Sequence, residues 1–252
     1  MRAGQNTGRR IVLITGASRG IGAETARILG AGGDHVVVNY REKRKRAEVI
    51  AEEIRAAGGS ASIAGADIAE PDAARTLIDG VAAEFGRLDV LVLNASGGLE
   101  RQAGPGYAMA INRDAQERLV RTALPCMRSG GRVVFVTSHQ AHFHGRKPVP
   151  ADYEPIAASK RAGEDALRAM IPELAAHGVE LRVVSGDIID GTIIVRLLER
   201  RNPDAVSARK DHGDLPTVIE FAAAVAAATE DTAESGHTVY VGGQDYLALP
   251  GT

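Results

Sequence analysis

The chain has 252 residues, 44% of them hydrophobic and 25% charged, with a formal net charge of −2. That length suits one α/β domain with a large core, and the near-neutral charge removes the electrostatic basis for binding nucleic acid or an anionic membrane. A single cysteine, Cys126, excludes an internal disulfide or a thiolate metal cluster, so a reducing cytoplasm is expected.

Residues 1–10 are polar and carry no apolar leader core, which predicts a flexible tail ahead of one domain spanning 11–252. Apolar, β-branched runs then recur at Ile11–Ile14, His35–Asn39, Ala61–Gly65, Val90–Asn94, Arg132–Thr137, Leu181–Ser185 and Thr238–Val241. They are mostly continuous rather than alternating, as strands buried on both faces are. Helical patterns lie between them at Gly20–Ala31, Arg44–Ala57, Pro71–Phe85, Tyr107–Arg128, Pro155–His177 and Thr217–Thr229. The alternation predicts an α/β fold with a doubly wound parallel sheet of about seven strands. The basic run Arg41–Arg46 reads as the solvated start of a helix, and no apolar run is long enough to span a bilayer.

Three segments resist the alternation, each leaving the carboxyl end of a strand: Ser96–Gly106, His139–Glu154 and Asp190–Asp214. Ligands of open α/β sheets bind there, so long loops at these places point to function. The third carries Ile193, Ile194, Val195, Leu197 and Leu198, which makes 190–214 a candidate substrate lid.

Between the first strand and first helix stands Thr15-Gly16-Ala17-Ser18-Arg19-Gly20-Ile21-Gly22. The glycines permit a tight turn and close backbone approach, and the helix N-terminus behind them favours a pyrophosphate. The second strand ends in Asn39-Tyr40-Arg41, with no carboxylate to accept from a ribose 2′-hydroxyl. Arg41, helped by Arg19, instead offers charge-assisted hydrogen bonds to a 2′-phosphate, so NADPH is the expected cofactor.

The T-G-x-x-x-G-x-G spacing resembles the short-chain dehydrogenase/reductase family, and the likeness runs through nearly the whole chain. It implies a single-domain Rossmann-type fold and further cofactor contacts at Asp67 and Ile68 (adenine), at Asn94, Ala95 and Ser96, and at Ile188 beside the nicotinamide, where Asp190 stands in the family's threonine position and Thr192 is the substitute. It implies catalytic roles for Ser138, for Lys160, whose ammonium holds the nicotinamide ribose, and for Asn112, which supports a water chain. It also implies a homo-oligomer, dimer or tetramer, assembled through the helices carrying Asn112 and Lys160. Pro172 should bend the second of these.

The family's Tyr-x-x-x-Lys is here Ile156-Ala157-Ala158-Ser159-Lys160. Ile156 and Lys160 share a helix face, but isoleucine can neither donate nor accept a proton. Tyr153 is one substitute; Pro155 at the first helical position would push Glu154 out of the α region and leave Tyr153 on extended chain. His139, His142 and His144 are others, and no spacing predicts a metal site. The resemblance thus implies an NADPH-dependent ketoreductase of polycyclic aromatic polyketides (angucyclinone-like), in antibiotic biosynthesis. A substrate hydroxyl beside the ketone supplies the missing help. A catalytically silent NADP-binding regulator, or a dehydratase or isomerase without hydride transfer, stays open.

Overall fold

All seven apolar runs lie in one parallel sheet. The computed structural model describes residues 8–99, 104, 106–190 and 215–248. Its strands are β1 (Ile11–Ile14), β2 (His35–Tyr40), β3 (Ser60–Gly65), β4 (Leu88–Leu93), β5 (Met127–Ser138), β6 (Glu180–Gly186) and β7 (His237–Val241). Their spatial order is β3-β2-β1-β4-β5-β6-β7. The winding reverses between β1 and β4, and this switch point opens a crevice at the carboxyl edge of the sheet. The α/β, doubly wound expectation holds.

Strand side chains alternate between faces, so β1 feeds two cores at once. Ile11 and Leu13 pack with α3 (Pro71–Phe85), α5 (Ala115–Ala123) and α7 (Glu154–Ala169) on one face. Val12 and Ile14 pack with α1 (Gly20–Ala31), α2 (Arg44–Ala56) and α9 (Val218–Ala228) on the other. Local sequence sets the helix ends. Pro71 opens α3, and Gly86, in the left-handed region at φ 70°, closes it. A reciprocal Thr217–Glu220 capping box starts α9.

The long helix expected over Tyr107–Arg128 is instead segmented. A single turn, α4 (Tyr107–Met109), leads into a π-helical turn at Ala110–Asp114, then α5, then a 3₁₀ turn at Leu124–Cys126. The helix expected over Pro155–His177 also divides, into α7 and α8 (Ile171–Ala176), with Met170 between them. Pro172 lacks the N–H that would reach the carbonyl of Arg168, and its ring crowds that carbonyl. Two short helices were not expected: α6 (His139–His142) and α10 (Gln244–Ala248). Among the described residues no helix is long and apolar enough to cross a membrane.

Candidate active site

The turn after β1 is held from both neighbouring strands. Thr15 Oγ1 accepts from the backbone N–H groups of Asn94 and Ala95 at 3.0 Å each, and Asn94 Nδ2 donates to Thr15 O at 2.9 Å. From β2, Asn39 Oδ1 accepts from Gly16 N at 3.2 Å, and its Nδ2 donates to the carbonyls of Ala64 and Ala66. Gly16 and Gly20 sit at φ 64° and 57°, where L side chains are strained. A Cβ on Gly22 would lie 2.5 Å from Asn94 Nδ2, so only glycine lets α1 start this close to β4. No side chain caps the N-terminus of α1. Its positive dipole end and first N–H groups are of the kind that suit an anion. Ser18 is half-buried beside the exposed Arg19 and Gly20.

Along the carboxyl edge, Tyr40 is buried, and a Cβ on Gly65 would press against its ring and hydroxyl. Arg41 follows on the surface, donating to Tyr107 Oη at 2.6 Å and pairing with Glu42 at 3.3 Å. Asp67 accepts from Ala69 N at 3.0 Å in a local turn that leads toward α3. Ile68 packs into the core, and its carbonyl accepts from Arg118 at 2.9 Å. Ser96 is exposed at the end of β4. Ile188, half-buried after β6, precedes Asp190, which pairs with Thr217 in an isolated parallel bridge. Thr192, and the candidate lid beyond Asp190, lie outside the described residues.

Ser138 closes β5 and caps α6, its Oγ accepting from Ala141 N at 3.4 Å. Lys160 lies on α7, buried, and burial pushes its ammonium down to about 8. No hydrogen-bond partner for Nζ exists among the described residues, which makes it a cation in want of hydroxyl or carbonyl ligands. Asn112 is committed within the protein: its amide exchanges hydrogen bonds with the backbone of Gly97 and donates to Ser159 Oγ at 3.0 Å. It ties the loop after β4 to α7 through the π-helical turn. A Cβ on Gly163 would collide with the Asn112 carbonyl, so a glycine allows α7 to seat here.

Ile156 is buried on the same face as Lys160, in a small apolar cluster with Tyr153, Ala141, Ala157, Leu99, Ala108 and Val149. Its Cδ1 would lie 2.5 Å from a Cβ on Gly98, which marks how closely it meets the loop after β4. The expectation of extended chain before Pro155 is overturned. Tyr153 has αR backbone angles (φ −102°, ψ −12°), Glu154 is helical, and Pro155 lies within the first turn. The N–H groups of Ile156 and Ala157 bond to the Tyr153 carbonyl, and Tyr153 N bonds to Pro150 O. The pre-proline rule disfavours the α region without forbidding it, and burial of the phenol outweighs it here. Tyr153 Oη thereby reaches Ser138 Oγ at 3.2 Å. Burial holds this phenol above its usual range, with the Ser138 hydrogen bond pulling the other way.

The histidines considered as acids are otherwise engaged. His139 Nε2 faces the carbonyl of Gly242 at 3.0 Å, which only accepts, so that nitrogen carries the proton and Nδ1 accepts from Ser185 Oγ at 2.8 Å. His142 lies between Glu164, at 2.9 Å, and Tyr240 Oη, at 3.0 Å; Glu164 also bonds Arg168. His144 bonds Glu154 at 2.6 Å. Sequence reasoning missed Asn39 and Tyr107. For Asn39 a signal existed, since an amide on a buried strand end must find partners. Nothing local marked Tyr107.

A family model described as short chain dehydrogenase matches residues 10–202. Versicolorin reductase stcU of Emericella nidulans is 37% identical over 142 residues, 54% of this chain and 54% of that protein. The 1-cyclohexenylcarbonyl-CoA reductase of Streptomyces collinus is 33% identical over 188 residues, 72% of this chain and 65% of that protein. The match thus spans less than two thirds of either relative's length. Among solved structures, the angucycline C-6 ketoreductase LanV with bound NADP superposes with a TM-score of 0.79 at 28% identity, over 93% of this chain and 95% of that one. With NADP and rabelomycin bound, the landomycin C-6 ketoreductase LanV gives a TM-score of 0.76 at 27% identity, over 95% and 97%.

Proposed function

This chain belongs to the short-chain dehydrogenase family, and we propose that it is an NADPH-dependent ketoreductase. Its substrate is a ketone on a polycyclic aromatic, angucyclinone-like polyketide, in antibiotic biosynthesis. The observation that carries this reading is the ammonium of the largely buried Lys160, unpartnered among the described residues, one helical turn from Ile156 and on the helix that brings Tyr153 to Ser138. Such a cation fits the hydroxyls of a nicotinamide ribose, and the uncapped helix behind Gly16, Ser18, Arg19, Gly20, Ile21 and Gly22 fits a pyrophosphate.

The donor set also favours the phosphorylated dinucleotide. Arg41 stands exposed where a carboxylate would repel a 2′-phosphate, and the solved LanV structures hold NADP. NADPH, when bound, supplies the hydride. Asp67, Asn94, Ala95, Ser96 and Ile188 line its path along the carboxyl edge of the sheet. Ser138 orients the ketone, and Ile156 with Leu99, Ala108 and Val149 offers an apolar wall to a planar ring.

The proton is the remaining element. General acid catalysis typically contributes about 10²–10⁴-fold, and Ile156 cannot provide it. A phenol or enol beside the ketone does so by proximity, passing its proton to the forming alkoxide and recovering one from water. In placing an isoleucine four residues before the lysine, the chain resembles the angucyclinone ketoreductase of simocyclinone biosynthesis. The resemblance also supports a cytoplasmic homo-oligomer.

The test is NADPH oxidation across aromatic polyketide ketones with and without an adjacent hydroxyl. Turnover confined to the hydroxylated ketones supports the reading. No oxidation with any ketone, alongside tight NADP binding, overturns it in favour of a silent regulator.

A further inference from the structure

Tyr153 and Ser138 carry two hydroxyl protons and share one hydrogen bond, at 3.2 Å. Ser138 Oγ also accepts from the Ala141 N–H, at 3.4 Å. Neither hydroxyl has another partner among the described residues. A serine oxygen has two lone pairs and one proton. If the phenol donates to it, the Ala141 N–H and the phenol fill both lone pairs, and the serine proton is the one left over.

We propose that Tyr153 is a positioning residue that turns the Ser138 hydroxyl proton toward the substrate ketone, by donating its own proton to Ser138 Oγ. The inference rests on the ketoreductase reading above and deepens it. The phenol comes from one turn earlier on α7 than Ile156, so the helix face carries Tyr153, Ile156 and Lys160 in sequence. Over seven residues the Tyr153 and Lys160 backbones stand about 10 Å apart. Lys160 is not among the groups that shift the Tyr153 phenol; burial and Ser138 are. Burial keeps the phenol protonated at neutral pH, which suits a donor that holds its proton rather than one that surrenders it. The chain therefore presents one oriented serine O–H to the carbonyl oxygen, while the proton that completes the alcohol still comes from the substrate.

The test measures kcat, KM and NADPH affinity for Tyr153→Phe, Ser138→Ala and the double variant, on a ketone with a free adjacent hydroxyl. We expect Tyr153→Phe to lower kcat roughly tenfold, the loss of one hydrogen bond, with NADPH affinity unchanged and the melting temperature lowered by no more than about 5 °C. In the Ser138→Ala background the same substitution should add nothing. Replacing Tyr153 with 3-fluorotyrosine preserves ring and hydroxyl if the phenylalanine variant folds poorly. It should restore the kcat that the phenylalanine variant loses, in the wild-type background and not in Ser138→Ala. Losses that multiply in the double variant, or a kcat that Tyr153→Phe leaves unchanged in an active enzyme, overturn the inference alone. A wild-type protein that reduces no ketone overturns both this inference and the ketoreductase reading.

Discussion

Lys160 should weaken the fold that displays it. Its side chain is largely buried, 8% exposed, and burial lowers the ammonium from 10.5 to about 8. At about 1.4 kcal/mol per unit, the charged form costs the folded protein about 3 kcal/mol. Because the folded value is the lower one, the unfolded chain binds the proton more tightly between pH 8 and 10.5. The penalty is therefore fully present below pH 8 and fades as the pH rises to 10.5. Lys160→Met keeps the apolar stem and removes the charge. In thermal melts without cofactor at pH 7 it should raise the melting temperature by about 6–12 °C, at about 2–4 °C per kcal/mol for a domain of this size. The gain should shrink steadily toward pH 10.5, while NADPH affinity falls at every pH. A variant less stable than wild type at pH 7, or a gap that ignores pH, would refute the assignment of Lys160 as a cation buried for function.

The remaining expectations concern the cofactor, the helix seat and Ile156. Arg41→Ala should raise the KM for NADPH by roughly 10–100-fold and leave that for NADH unchanged, as the loss of a charge-assisted bond to a phosphate predicts. Gly163→Ala forces a methyl against the Asn112 carbonyl, and calorimetry should register a loss of about 1–3 kcal/mol or more. Ile156→Tyr should raise kcat on a hydroxylated ketone by less than about tenfold, far short of a restored general acid. In the proposed mechanism the substrate supplies the proton, and a ring at 156 has to displace the contact Ile156 makes near Gly98.

The sheet was legible because buried parallel strands leave continuous apolar runs, and seven runs became seven strands. The turn after β1 was legible because its geometry needs glycines that nothing else replaces, as Gly16, Gly20 and Gly22 show. Interruptions in helices were harder to read. Pro172 announced its break by chemistry, but the π-helical turn around Asn112 depends on bonds to Gly97 and Ser159, far away in sequence. Tyr153 shows the same limit more sharply. A local rule about Pro155 placed it on extended chain, and a tertiary contact with Ser138 placed it at the head of the helix. The histidines after Ser138 looked available only because Glu164, Tyr240 and the Gly242 carbonyl come from later elements.

The most direct test of substrate-assisted reduction is a matched pair of ketones, one with a free hydroxyl beside the carbonyl and the other its methyl ether, each incubated with deuterated NADPH. The account predicts that deuterium appears in the alcohol from the free phenol, and that the methyl ether reacts at least about 100-fold more slowly. Equal rates for the pair, or no deuterium in either product, would contradict it.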